Sequence, residues 1–182
     1  WKITKPSEEI KAMKEFVAQK NKNLRRLCKM ARAWKNKHGV GMGGLLVDTL
    51  AHNFLRSTSD YDEKSFLYYD FMSRDFFKYL SELPDQDHYK ALGSGQNVKV
   101  KKKFQRKANK AYELCLTAIK AGDSDSANEK WKKVFGRPFP SKAKKVEEAA
   151  ATTQQEWRNT EQFIEDQFPI DIRYSMTLDC EV

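Results

Sequence analysis

The chain has 182 residues, of which 40% are hydrophobic and 12% aromatic, enough for one ordinary domain with its own core and too apolar for a disordered tail. No run reaches the roughly 20 apolar residues of a membrane span, since the longest, Leu45 to Leu55, is broken by Asp48, His52 and Asn53. With 34 basic against 25 acidic residues the net charge is +9, which favours anionic partners such as nucleotides, nucleic acid or phosphates. Cys28, Cys115 and Cys180 are too far apart for a zinc cluster and too few for a disulfide framework, so reduced thiols and a cytoplasmic location are expected. No signal peptide is visible, and an opening Trp1 in place of Met points to a processed or excised piece.

Trp1 to Thr4 reads as the end of an extended segment. Ser7 is expected to cap a first helix to about Lys20, with Glu8 and Glu9 in its first turn and Ile10, Met13, Phe16 and Val17 at helical spacing. A second helix is expected from about Lys22 to His38, with Leu24, Leu27, Cys28, Ala31 and Trp34 inward. Beside that stripe Arg25, Lys29 and Arg32 fall at i, i+4 and i+7, a line of cations that an anion would relieve. Solvent relieves it too.

The glycine-rich turn Gly39 to Gly44 leads to a third helix, Leu45 to about Ser57. Its glycines and the helix N-terminus could cradle phosphate, and close helix packing explains them equally well. Ser59 and Asp62 have capping-box spacing and are expected to start a fourth, aromatic helix over 61–82. Leu83 to Val98 reads as a long loop holding Gly93-Ser94-Gly95. A fifth helix over 99–121 opens with a basic run; Asp123 or Ser124 caps a sixth, which Gly136 ends. A last helix is expected over 154–168, and strict alternation from Ile170 to Val182 predicts a half-buried strand that needs a partner.

The chemistry-bearing candidates are few. Asp60/Asp62, Asp85/Asp87 and Asp123/Asp125 are Asp-x-Asp pairs, but none lies on an apolar strand, and caps and turns account for them. Asp48 and His52 share a helix face without a third ligand, so a surface hydrogen bond is the expectation. His38 is expected to serve a helix C-terminus. No nucleophile, base and orienting group come together in the sequence. Lys102, Lys103, Arg106 and Lys110 form a candidate nucleic-acid face within the basic run, against the commoner reading of a solvated face. Tyr68, Tyr69 and Phe71 could stack bases, although aromatics at this density are more often core.

Four stretches, in order, resemble one family. They are Trp1 to Pro6; Leu24 to Lys35 followed by Gly43 to Leu50; Lys107 to Glu113; and Ala127 to Trp131 running into Val134-Phe135-Gly136 and Phe139-Pro140. They resemble the helical domain of the SMODS-type CD-NTases, bacterial relatives of cyclic GMP–AMP synthase and oligoadenylate synthetase. The resemblance implies an all-α domain of six or seven helices, like the C-terminal lobe of oligoadenylate synthetase-like nucleotidyltransferases, with a terminal β-strand. Residues 1–6 would leave a catalytic lobe, 7–168 would form the helical domain, and 169–182 would lead into a β-rich sensor module.

It also implies an activity for the parent protein: ATP or other nucleoside triphosphates joined, with Mg²⁺, into a cyclic di- or trinucleotide messenger of antiphage defence. The Mg²⁺ would sit on carboxylates of the catalytic lobe, so this stretch alone would be inactive. Lys29 matches the family's phosphate-contacting lysine, with Arg25 and Arg32 beside it, and Gly43, Gly44 and Asp48 match the helix start beside the nucleotide. The alternatives are a helical RNA- or DNA-binding module and an RNA-tailing transferase.

Overall fold

A computed structural model describes residues 5–122 and 124–137, which lie within the first of two compact units, Trp1–Phe139 and Pro140–Val182. The extended opening at Trp1 to Thr4, the last helix and the strand expected from Ile170 lie outside the described residues. Within them the chain forms the all-α domain expected, with six helices: α1 (Pro6–Gln19), α2 (Asn23–Lys37), α3 (Gly44–Ser57), α4 (Tyr69–Glu82), α5 (Gln105–Lys120) and α6 (Asp125–Phe135). A 3-10 turn, Phe66–Tyr68, precedes α4, and a small antiparallel hairpin, β1 (His88–Lys90) and β2 (Asn97–Lys99), joins α4 to α5.

The packing follows from side-chain size. The inward face of α5 is Ala108, Ala111, Cys115 and Ala118, all small, and α4 sets Met72, Phe76, Phe77 and Leu80 opposite. Small against large lets the two axes approach closely, and α4 with α5 is the most extensive helix pair. Cys115 is fully buried there, and burial pushes its thiol pKa up, so it packs as a protonated apolar group. α2 lies at the centre of the unit, in contact with α1, α3, α4 and α6. Its buried residues include the five expected, Leu24, Leu27, Cys28, Ala31 and Trp34. α1 contributes no fully buried side chain; Met13, Phe16 and Val17 pack against the core from outside.

Four boundaries differ from the sequence reading, each for a physical reason. α1 starts at Pro6 with Lys5 in the cap position, because proline's missing N–H costs nothing in a first turn; Ser7 therefore sits inside the helix. Residues 58–65 are loop, and α4 starts only at Tyr69. The buried Asn23 amide donates to the carbonyls of Tyr61 (2.6 Å) and Lys64 (2.9 Å), while Lys20 pairs with Asp62, so these groups are held by α2 and its approach instead of by a helix of their own. Tyr61 donates to Asp75, which Arg74 also holds at 2.6 Å; burial alone would raise that carboxyl, but these bonds outweigh it and keep it below its ordinary value.

The expected long loop instead holds the hairpin, with Tyr89 opposite Val98. Its tip docks on α1: Ser94 donates to Glu9 at 2.6 Å, and Gln96 donates to the same carboxylate. Gly93, at φ +80, lies so close that a Cβ would stand 2.5 Å from the Glu8 carbonyl oxygen. The Gly93-Ser94-Gly95 stretch thus serves packing against a helix. Finally α5 begins at Gln105, because Asn97 to Lys99 are spent in the hairpin and the chain must turn before helix can start. At the far end Ser124 caps α6 as expected, accepting from the Ala127 N–H at 3.2 Å, and Gly136 closes it at φ +80.

Removing the amide that ties the 58–65 loop to α2 should be felt directly. Asn23→Ala loses one buried and one part-buried hydrogen bond at about 1 kcal/mol each and strands the freed carbonyls, so a loss of roughly 2–3 kcal/mol is expected. That corresponds to a fall of roughly 4–12 °C in the thermal midpoint, read by circular dichroism. An unchanged midpoint would show that the loop is held by other contacts.

Candidate anion-binding site

Because α2 buries the face carrying Leu27, Cys28 and Ala31, residues a quarter-turn away point outward, and Arg25 and Lys29 are exposed. Among the described residues neither is paired with a carboxylate. Arg32, the third member of the line, behaves differently. Its Nη2 contacts both carboxylate oxygens of Asp48 on α3, at 2.6 and 2.7 Å, and its Nη1 donates to the Cys28 carbonyl at 3.2 Å. Of the three cations expected in one line, two therefore have no carboxylate partner among the described residues, and the third is neutralised by Asp48. Asp48, expected to stand beside a nucleotide, anchors Arg32.

That pair has a positional effect. A guanidinium carries five N–H donors, and the three contacts leave one on Nη1 and the one on Nε. The Arg32 side chain is 40% exposed, so the pair is not sealed from solvent. It also stands at the start of α3, where a Cβ on Gly44 would lie 3.9 Å from Nη2. α3 opens without a side-chain cap: Gly43 is its cap residue, and no atom comes within 4 Å of where its Cβ would be. The first N–H groups of a helix have no intrahelical acceptor, and here nothing on Gly43 or Gly44 stands before them. The structure thus brings Arg32, Gly44 and Asp48 together at the α2–α3 junction, with Gly43 leading in and Arg25 and Lys29 farther along α2.

The turn between the helices is held from behind. Lys107, on α5, donates to the carbonyls of His38 (2.7 Å) and Gly39 (3.0 Å), the exposed C-terminal end of α2. His38 Nε2 bonds the Val134 carbonyl on α6 at 3.0 Å, so this histidine serves a helix end as expected and also ties two helices together. The Lys102 stem lies against Gly41, where a Cβ would come within 3.1 Å of it. No local signal marks these roles, since Lys107 is 68 residues from Gly39.

The second candidate face does not hold as a helix face. Lys102 and Lys103 precede α5, Lys103 is paired with Asp85, and Lys102 covers Gly41. Only Arg106 and Lys110 of the four remain on α5, both exposed. The aromatics divide as well. Tyr69 and Phe71 pack against the core, but Phe66, Leu67 and Tyr68 are exposed.

Asp48 is taken by Arg32, so the Asp48/His52 surface contact is absent. His52 is buried, its ring edge-on to Phe16 at 4.5 Å and its Nδ1 3.2 Å from the Asn53 side-chain oxygen. Among the described residues no three His, Cys, Asp or Glu side chains converge as a metal site would require, and no helix is long and apolar enough to cross a membrane. Shallow depressions of about 520 Å³ beside Ile10 and Lys14 and about 400 Å³ beside His88 and Lys99 both lie away from the α2–α3 junction.

Compared with models of known families, with curated proteins and with solved structures, the chain matches none.

The buried histidine yields a pH test. Burial, reinforced by nearby Arg56, lowers the His52 pKa below 6.5 in the folded chain. The unfolded chain then binds the extra proton first as pH falls, so this group's contribution is present above about pH 6.5 and is lost below it. Urea midpoints at pH 7.5 and 5.5 should show lower stability at 5.5, with a smaller difference in His52→Gln. A His52 titration observed by NMR at or above 6.5 would contradict this.

Proposed function

We propose that this chain is the helical lobe of a nucleotidyltransferase and that the α2–α3 junction holds nucleotide phosphates. The observation carrying the reading is the placement of Arg32 at the bare, glycine-led start of α3, with Lys29 free on the same helix. Phosphate is recognised by cations and by unsatisfied N–H groups together, and this junction supplies both.

The roles differ by residue. Arg32 and Asp48 cancel each other's charge, so Arg32 would orient a phosphate oxygen through its remaining N–H donors more than attract it. Attraction would come from Lys29 and Arg25, and the first N–H groups of α3 would receive the same phosphate. Lys107 and Lys102 would keep the turn at Gly39–Gly43 in place. Reacting atoms and Mg²⁺ would belong to a catalytic lobe, to which the family resemblance assigns the carboxylates.

That resemblance, carried by sequence motifs alone, supports the particular reaction: a CD-NTase joining nucleoside triphosphates into a cyclic di- or trinucleotide for antiphage defence. A β-rich sensor module and cytoplasmic placement belong to the same reading. For the rival helical RNA- or DNA-binding module, Lys102 and Lys103 lie before α5 and Lys103 pairs with Asp85, so its four cations do not form one helix face.

Lys29→Ala in the complete protein should lower nucleotide affinity or turnover roughly ten- to a hundredfold, because a charge-assisted phosphate contact is worth on the order of 1.5–3 kcal/mol. Unchanged kinetics would remove Lys29 from the site. Labelled nucleoside triphosphates with Mg²⁺ should give a phosphatase-resistant product. RNA-dependent tailing would instead favour the other transferase.

A further inference from the structure

We infer that Asp48 keeps phosphate binding at the α2–α3 junction weak, by withholding from the phosphate the paired donors of Arg32. The inference rests on the phosphate-binding reading of that junction. α2 carries no acid and α3 carries one, so the only carboxylate on the two helices lies on the cation that stands at the start of α3. Asp48 holds that cation through Nη2, at 2.6 and 2.7 Å from its two oxygens. Nη2 is also the atom that a Cβ on Gly44 would approach, at 3.9 Å, so the nitrogen facing the helix start is the one that is occupied.

Guanidinium geometry gives this contact a chemical consequence. Phosphate is gripped best by two parallel N–H donors along one edge. The edges that offer such a pair are Nε with Nη2 and Nη1 with Nη2, and both include the nitrogen bound to Asp48. Nη1 is further committed to the Cys28 carbonyl at 3.2 Å. Arg32 can therefore present single donors but no paired edge, while Asp48 cancels its charge. Attraction is left to Lys29 and Arg25, which have no carboxylate partner among the described residues. Weak binding has a use here. Transfer of a nucleotide from a triphosphate expels pyrophosphate, and a junction with a third open cation would hold that product as firmly as the substrate. Affinity shared equally among the bound states does not speed a reaction.

The test uses the full chain with pyrophosphate as the probe, its binding followed by the NMR shifts of the amides of residues 43–47. Asp48→Asn keeps the shape and removes the charge. It should bind roughly three- to tenfold more tightly than the parent, since it frees a charge-assisted contact at a partly exposed site. Asp48→Ser should show the same gain, and the circular dichroism melts of both should match the parent's. Arg32→Lys keeps the charge without the paired donors. Alone it should leave affinity nearly unchanged, whereas added to Asp48→Asn it should cancel most of the gain. A gain that survives Arg32→Lys, or no gain in either Asp48 variant, would overturn the inference while leaving the phosphate site in place. No binding of pyrophosphate by the parent or by any variant would remove the site itself, and the inference with it.

Discussion

The burial of one face of α2 is the constraint from which the rest follows. Leu24, Leu27, Cys28, Ala31 and Trp34 must leave water together, and the helix that carries them contacts α1, α3, α4 and α6. Once that face is fixed inward, the positions of the remaining side chains around the helix are no longer free. Arg32 is turned toward α3, Arg25 and Lys29 toward solvent, and Met30 toward α4, where its sulfur accepts from Ser73 at 3.6 Å. The arrangement of the α2–α3 junction is thus a by-product of core packing that charge then refines.

Asp48 provides the refinement. Without it Arg32 would be a mobile surface cation repelled by Lys29 along the helix line. With it, the guanidinium is held by both carboxylate oxygens and its outer donors keep a fixed direction. The pair is partly exposed, so it adds little to stability, and its effect lies in geometry. Burial, reinforced by the same carboxylate, pushes the Cys28 thiol pKa up, leaving that sulfur protonated and inert.

A second theme is that polar side chains from distant segments replace local secondary structure. Asn23, Lys20 and Asp75 hold a loop that has helix-like composition, Glu9 receives the hairpin tip, and Lys107 closes the end of α2. These contacts place the α2–α3 turn and the loop before α4 with respect to the core, so both rest on hydrogen bonds between segments far apart in sequence.

The helical class, the buried stripe of α2, the Ser124 cap and the glycine stops were legible in the residues alone, because each depends on a period or a capping group within a few neighbours. The cations of α2 were legible as a line for the same reason. What the sequence could not convey was partner choice: that Arg32 meets Asp48, that Lys103 meets Asp85, and that Lys107 meets two carbonyls near residue 39. It likewise gave helix where Asn23 makes a loop, and loop where Tyr89 and Val98 pair across a hairpin. Local propensity sets what a segment prefers in isolation. Tertiary packing decides which donors and acceptors meet, and an unpaired buried polar group costs more than a weak local preference can return.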